Sequence, residues 1–186
     1  FFKFELVYDT NSSNLVEQLR MHQINFAIVA ESAITNDQSS FATSRLFEDK
    51  IAWAVPSSLT NEEIVVALGN RSDTSKAHPI LSQFIEIDPQ VPTRHASDDW
   101  YRFHLPNATP TFAAPTFAAS IELVAGGLGT CHVPLSLLPN LSQTTLDSVK
   151  LFRITGMNRH VVLAMRKHLL THAAYAHIFN RLTDFC

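Results

Sequence analysis

The sequence has little of what staples a chain, anchors it in a membrane or grips a nucleic acid. Only two of its 186 residues are cysteines, Cys131 and Cys186. Two are too few for a disulfide framework, and a reducing cytoplasm fits them. No apolar run approaches the roughly 20 residues that cross a bilayer, and no charged-then-apolar leader opens the chain, so no membrane partner is expected. Lys and Arg number 14 against 17 Asp and Glu, a formal net charge of -3, and no dense basic run occurs. Nucleic acid is therefore not expected on this chain itself, because phosphate backbones call for clustered cations. No internal repeat or low-complexity tract is visible.

Catalytic signatures are missing too. There is no G-x-S-x-G elbow, H-E-x-x-H or Ser-x-x-Lys, and the chain is not expected to be an enzyme. Cys131 and His132 are adjacent in a predicted strand and so point to opposite faces, which prevents them from acting as nucleophile and base. His168 and His172 lie four apart with His177 near, but no Cys or carboxylate completes a compact ligand set. Neither metal nor cofactor is expected.

What is present is a folded α/β pattern: 46% hydrophobic residues and 13 Phe suffice for one substantial core or two small lobes. The most informative run is Thr116 to Pro134 (TFAASIELVAGGLGTCHVP). Ala118, Ile121, Val124 and Ala125 repeat at helical spacing and predict a buried face. Gly126 or Gly127 then closes the helix in the left-handed conformation, and Gly129 turns the chain into the strand Thr130 to Val133. Pro134 ends that strand, and Leu135, Leu137 and Leu138 give a short apolar helix. Glycines placed after a helix are not a phosphate loop, which sets them between a strand and the next helix N-terminus.

Around this run we expect strands at Phe2 to Tyr8, Phe26 to Val29, Arg45 to Val55, Phe84 to Ile87, about Thr111 to Ala114, Leu151 to Ile154 and His160 to Met165. Helices are expected from about Asn14 to His22, after Asn61, at Trp100 to Leu105 behind Ser97, and from about Thr171 to Thr183 with Ala174, Ile178 and Leu182 inward. Arg71 to Ala77 reads as a mobile loop. Alternating strands and helices imply mostly parallel sheets flanked by helices.

Val124, Gly127, Gly129 and Pro134 match a V-x-x-G-x-G-x-x-x-x-P pattern that resembles the effector-binding domain of LysR-type transcriptional regulators. Phe4 to Val7, Ser13 to Leu19 and Ile24 to Val29 resemble the family's strand, helix and x-D-L-A-I strand, with Asn25 at the usual aspartate. Arg45 to Val55 is similar to its L-x-x-E-x-L-x-x-V strand, and Val161 to Phe185 to its terminal strand and helix. The resemblance implies a two-lobed, periplasmic-binding-protein-like (type II) fold with two crossover strands. One lobe would take residues 1–45 and 156–186, the other 46–155. Family members usually begin with a further strand and helix, expected to be missing here.

It also implies function: a ligand-sensing regulatory domain that binds a small-molecule effector between its lobes and signals through homodimer or homotetramer packing. DNA would be bound only by a winged helix-turn-helix absent from this chain. A solute-binding protein for transport, which shares the fold, is the alternative. Candidate effector contacts are Ser12, Ser13, Ser97 and Thr116 at helix starts, and Phe117 as an apolar wall. Ala30 stands where some members place an arginine for a carboxylate, and Arg94 or His95 would substitute for it. Trp100 suits an aromatic or amphipathic effector. Each has a plainer reading beside it: N-capping for the hydroxyls, packing for the aromatic rings.

Overall fold

The computed structural model describes residues 4–9, 11–34, 37–69, 78–89, 91 and 93–184. The chain divides into two units, one comprising Phe1–Glu48 with His160–Cys186 and the other Asp49–Arg159. The boundaries fall inside two long strands, β2 (Phe41–Pro56) and β6 (Val149–Arg166).

In the first unit, α1 (Ser12–Arg20) is capped by Asn11, whose side chain accepts from the Ser13 N–H. The cap lies just ahead of Ser12 and Ser13, the hydroxyls expected at this helix start. Val16 and Leu19 form the inner face of α1 and pack with Ala27 and Val29 of β1 (Phe26–Ala30), Phe41, Val162 and Ala164. β1 pairs antiparallel with β6, from Phe26 opposite Met165 to Ala30 opposite Val161. On β6 the next residues along, Leu163 and Met165, meet Leu169, Tyr175 and Phe179 from the opposite side, as strand alternation requires. Tyr175 and Phe179 belong to α6 (Ala173–Asp184). The inner face of α6 thus differs from the expected one: Ala174 and Leu182 are exposed and Phe179 is buried.

Two other expectations are corrected here. Phe4 to Tyr8 is irregular, with Leu6 and Tyr8 75% and 88% exposed. Branched and aromatic residues favour a strand only where a neighbour supplies hydrogen bonds, and none pairs with this segment among the described residues. Residues 151–154 and 160–165 are one continuous strand, because Gly156 takes φ +81° within β6 without ending it.

In the second unit, β3 (Gln83–Ile87) pairs in parallel with β4 (Thr109–Ala114), and Phe84 bridges in parallel to Thr130. β5 (Cys131–Pro134) then pairs antiparallel with β2, Ile51 opposite Pro134 and Ala54 opposite Cys131. The parallel pairing expected of alternating strands and helices is found at β3 and β4, while the two long strands take antiparallel partners. Helices cover both faces. Trp53, Phe84 and Tyr101 pack in one core beside α2 (Asn61–Gly69) and α3 (Arg94–His104). Ala54, Ile85 and Val133 pack on the other side with Ile121 and Val124 of α4 (Phe117–Ala125), next to α5 (Gln143–Asp147).

The face of α4 turns slightly from the expected one: Ser120, Ile121 and Val124 are buried and Ala118 is exposed. Burying Ile121 and Val124 stabilises the unit by about 1.5–3 kcal/mol each. Gly127 closes the helix at φ +76°. Gly129, at φ +144°, lets the chain pass so close to β3 that a Cβ would lie 3.1 Å from the Gln83 carbonyl. That approach allows Thr130 N–H to donate to Gln83 O and Ile85 N–H to donate to Thr130 O. The recognisable glycines therefore serve sheet assembly. After β5, the expected short helix is found at Leu135–Asn140 and is of the 3-10 type. Residues 71–77 and Cys186 lie outside the described residues.

Candidate functional site

In the second unit, the first turns of α3 and α4 and the strand β5 converge on a small hollow. Ile51, Ile85, Ile87, Phe117 and Met157 give it apolar walls, and Thr93, Ser97, Ser120 and His132 supply polar groups. It has room for about one water. Thr116 caps α4 by accepting from the Ala119 N–H at 3.1 Å, which leaves the first-turn N–H groups at the helix end. Ser120 Oγ donates to Thr116 O and is thereby occupied. Helix α3 begins at Arg94, ahead of the expected start behind Ser97: Thr93 precedes it and Ser97 sits one turn in. That extra turn brings Ser97 Oγ to 2.5 Å from His132 Nδ1.

His132 is 6% exposed, and its Nε2 has no hydrogen-bond partner. Burial, helped by nearby His104, lowers its pKa from 6.5 to about 3, so the imidazole is neutral. Trp100 meets it edge-on at 4.8 Å and Tyr101 packs against it at 4.7 Å. The Tyr101 hydroxyl is tied to Thr130 Oγ1 at 2.9 Å. Burial raises the pKa of the Tyr101 phenol, and that of the neighbouring Cys131 thiol, so both stay protonated.

Arg159 lies beside the same hollow, its guanidinium 5.6 Å from the centre of the Phe117 ring. Its Nε and Nη2 donate to Asp49 Oδ2 at 3.0 and 2.8 Å. Asp49 also accepts from the N–H and hydroxyl of Ser136. Its charge is thus matched inside the fold.

The structure brings Ser97, Thr116, Phe117 and, through its packing on His132, Trp100 to one place. His95 is exposed on α3 and does not line the hollow. Ser12, Ser13 and Ala30 belong to the first unit. There Ser12 Oγ accepts from the Ala30 N–H at 3.1 Å, and Ser13 is exposed. Arg94, suggested as a substitute carboxylate binder, is fully engaged: it binds Asp98 through Nε, the Ile87 carbonyl through Nη1 and Glu86 through Nη2. Sequence reasoning missed His132, Thr93 and Arg159. A histidine inside a short apolar strand was the available signal for His132; Arg159 gave none, since its partner Asp49 is 110 residues away.

A roomier hollow of about 240 Å³ is lined by residues that include Ala67, His78, Leu81, Leu105 and Ala108. Its imidazole and hydroxyl, His78 and Ser82, belong to one short 3-10 turn and are engaged there, His78 Nδ1 accepting from the Ile80 N–H and Ser82 Oγ donating to the Pro79 carbonyl, and no α-helix start joins them. The smaller hollow is the better candidate.

The family model for the LysR substrate binding domain matches residues 6–186. The chain belongs to the LysR substrate binding domain family. It is a ligand-sensing regulatory domain of the LysR type, with the type II periplasmic-binding-like α/β fold. Family and fold are those of transcription-factor regulatory domains and not of enzymes. Among solved structures, the Synechocystis PCC6803 CcmR regulatory domain in complex with 2-PG has a TM-score of 0.67 at 13% identity, covering 94% of this chain and 79% of that one. The reduced regulatory domain of OxyR2 from Vibrio vulnificus gives 0.63 at 16%, covering 93% and 75%. The reduced OxyR regulatory domain from Pseudomonas aeruginosa gives 0.64 at 15%, covering 95% and 80%. No curated protein matches the chain. No helix among the described residues of this LysR-type domain is long and apolar enough to cross a membrane.

Proposed function

We propose that this LysR-type domain holds its effector in the second unit, at the hollow between the starts of α3 and α4 and strand β5. The carrying observation is the convergence of Ser97, Phe117 and His132 on an apolar hollow that also meets the N-terminal turn of α4. Helix-start N–H groups favour a partly negative ligand atom, the hydroxyls orient it, and Phe117 with the isoleucines offers apolar contact to the part of the ligand next to that atom. Occupancy biases the domain between states by no more than the effector's difference in affinity for them. The remaining roles follow the family: a soluble cytoplasmic regulator, homodimeric or homotetrameric, meeting DNA through a winged helix-turn-helix outside this sequence.

Two other readings carry less. A solute-binding protein for transport shares the fold, but the family match over residues 6–186 favours the regulator. A thiol sensor is disfavoured at Cys131, since burial raises its pKa and keeps the reactive thiolate from forming.

Thermal-shift screening with aromatic acids, amino acids and quinolone-like amphiphiles tests the proposal. A hit should raise the unfolding temperature of the wild type and lose that effect in Ser97→Ala and Phe117→Ala. Undiminished shifts in both variants would place the site elsewhere.

A further inference from the structure

The hollow as a whole is small, and a ligand could place only about one atom of its polar end in it. Its room is that of about one water, and the polar groups beside it are Ser97, His132 and Thr93. None of its nine lining residues is charged, and the guanidinium near Phe117 is already neutralised by Asp49. A charged group pushed into this hollow would be buried without a counter-ion, at a cost far above that of a neutral one. The imidazole is fixed on three sides, by Ser97 at Nδ1 and by the rings of Trp100 and Tyr101. Its remaining nitrogen, Nε2, is buried and unpaired. Buried polar atoms are nearly always satisfied, so an orphan beside a recess the size of one water marks a place where a single small polar atom belongs.

We propose that His132, held by Ser97, is a specificity-determining residue that reads one uncharged hydroxyl or carbonyl oxygen at the buried end of an otherwise apolar effector. The inference rests on the site reading above and adds the chemical class of the ligand's buried end. A neutral imidazole accepts a hydrogen bond from a hydroxyl when Nδ1 carries the proton. It donates to a carbonyl when Nε2 does, and the Ser97 hydroxyl accommodates either tautomer by rotating. A site built around such a group rejects the analogue that lacks it, because the imidazole is then left unpaired.

The test uses the 186-residue chain with 4-methylphenol and toluene, which differ only in the hydroxyl. NMR follows the methyl signals of Ile85 and Met157, the Phe117 ring and the His132 imidazole nitrogens. The wild type should bind 4-methylphenol at least about tenfold more tightly than toluene, with a shift at His132 Nε2. In His132→Leu the ratio should fall to about one while toluene still perturbs Ile85 and Met157, and His132→Gln should recover part of the preference. The wild-type imidazole shift is informative even if the leucine variant does not fold. A preference unchanged in His132→Leu, or tight phenol binding with no shift at Nε2, would overturn the role of His132 and leave the site standing. If neither molecule perturbs Ile85, Phe117 or Met157 at millimolar concentration, the site reading itself fails, and this inference with it.

Discussion

Acid should destabilise the second unit through His132. The folded imidazole is neutral, its pKa pushed from 6.5 down to about 3 by burial and by His104. Between those values the unfolded chain binds a proton at this residue and the folded chain does not, so falling pH favours unfolding. The stabilising contribution of the neutral imidazole is complete above about pH 6.5 and is lost progressively toward about pH 3. The slope approaches about 1.4 kcal/mol per pH unit below about pH 6.5, so a drop from about pH 6.5 to about pH 4.5 removes about 2 kcal/mol. His132→Leu abolishes this titration while keeping an apolar side chain in the strand. Urea unfolding followed by tryptophan fluorescence reads the right place, since Trp100 touches His132 and Trp53 lies 5.2 Å from Trp100. Other titrating groups act on both proteins alike and cancel in the difference. The stability of wild type relative to the variant should fall by about 2 kcal/mol across that range. Parallel stability curves for the two proteins would refute a buried neutral imidazole.

Asp49→Ala should cost about 3 kcal/mol in urea unfolding, since it strands the partners Arg159 and Ser136 of a carboxylate that is 1% exposed; a loss under about 1 kcal/mol would mean that water replaces the pair. Gly129→Ala forces a side chain into a positive-φ position against the Gln83 carbonyl, and a fall in stability of about 1–3 kcal/mol is expected. An unchanged melting temperature would contradict that tight approach. Asn25→Asp should raise the melting temperature, with a gain of about 1 kcal/mol, because Arg166 is 8% exposed, reaches Asn25 Oδ1 at 3.3 Å and has no salt-bridge partner among the described residues. Destabilisation instead would show that the carboxylate's desolvation outweighs the pairing.

Local spacing made the central run legible. A helix face at Ile121 and Val124, glycines that require positive φ and a proline stop are all short-range signals, and each lies where the residues put it. Phe117 opens α4 where nearby polar residues put that helix start, whereas Ser97, expected to open α3, sits one turn inside it. What was not legible depended on distant partners. Phe4 to Tyr8 has strand composition but no pairing strand among the described residues, and composition alone does not reveal that. The role of Arg94 was misread although Asp98 stands four residues on, a spacing that by itself announces an ion pair on a helix. His132 was legible only as a strand residue facing away from Cys131, because a strand pattern shows which face a side chain takes, not whether that face borders a hollow.

The central claim is that this LysR-type domain receives its effector in the second unit, beside Ser97, Phe117 and His132. A crystal structure of the chain with a compound that raises its melting temperature tests it most directly. The account predicts that ligand within contact distance of all three side chains, with one oxygen against the His132 imidazole. A ligand seated wholly in the first unit, or in the hollow lined by His78 and Leu105, would contradict it.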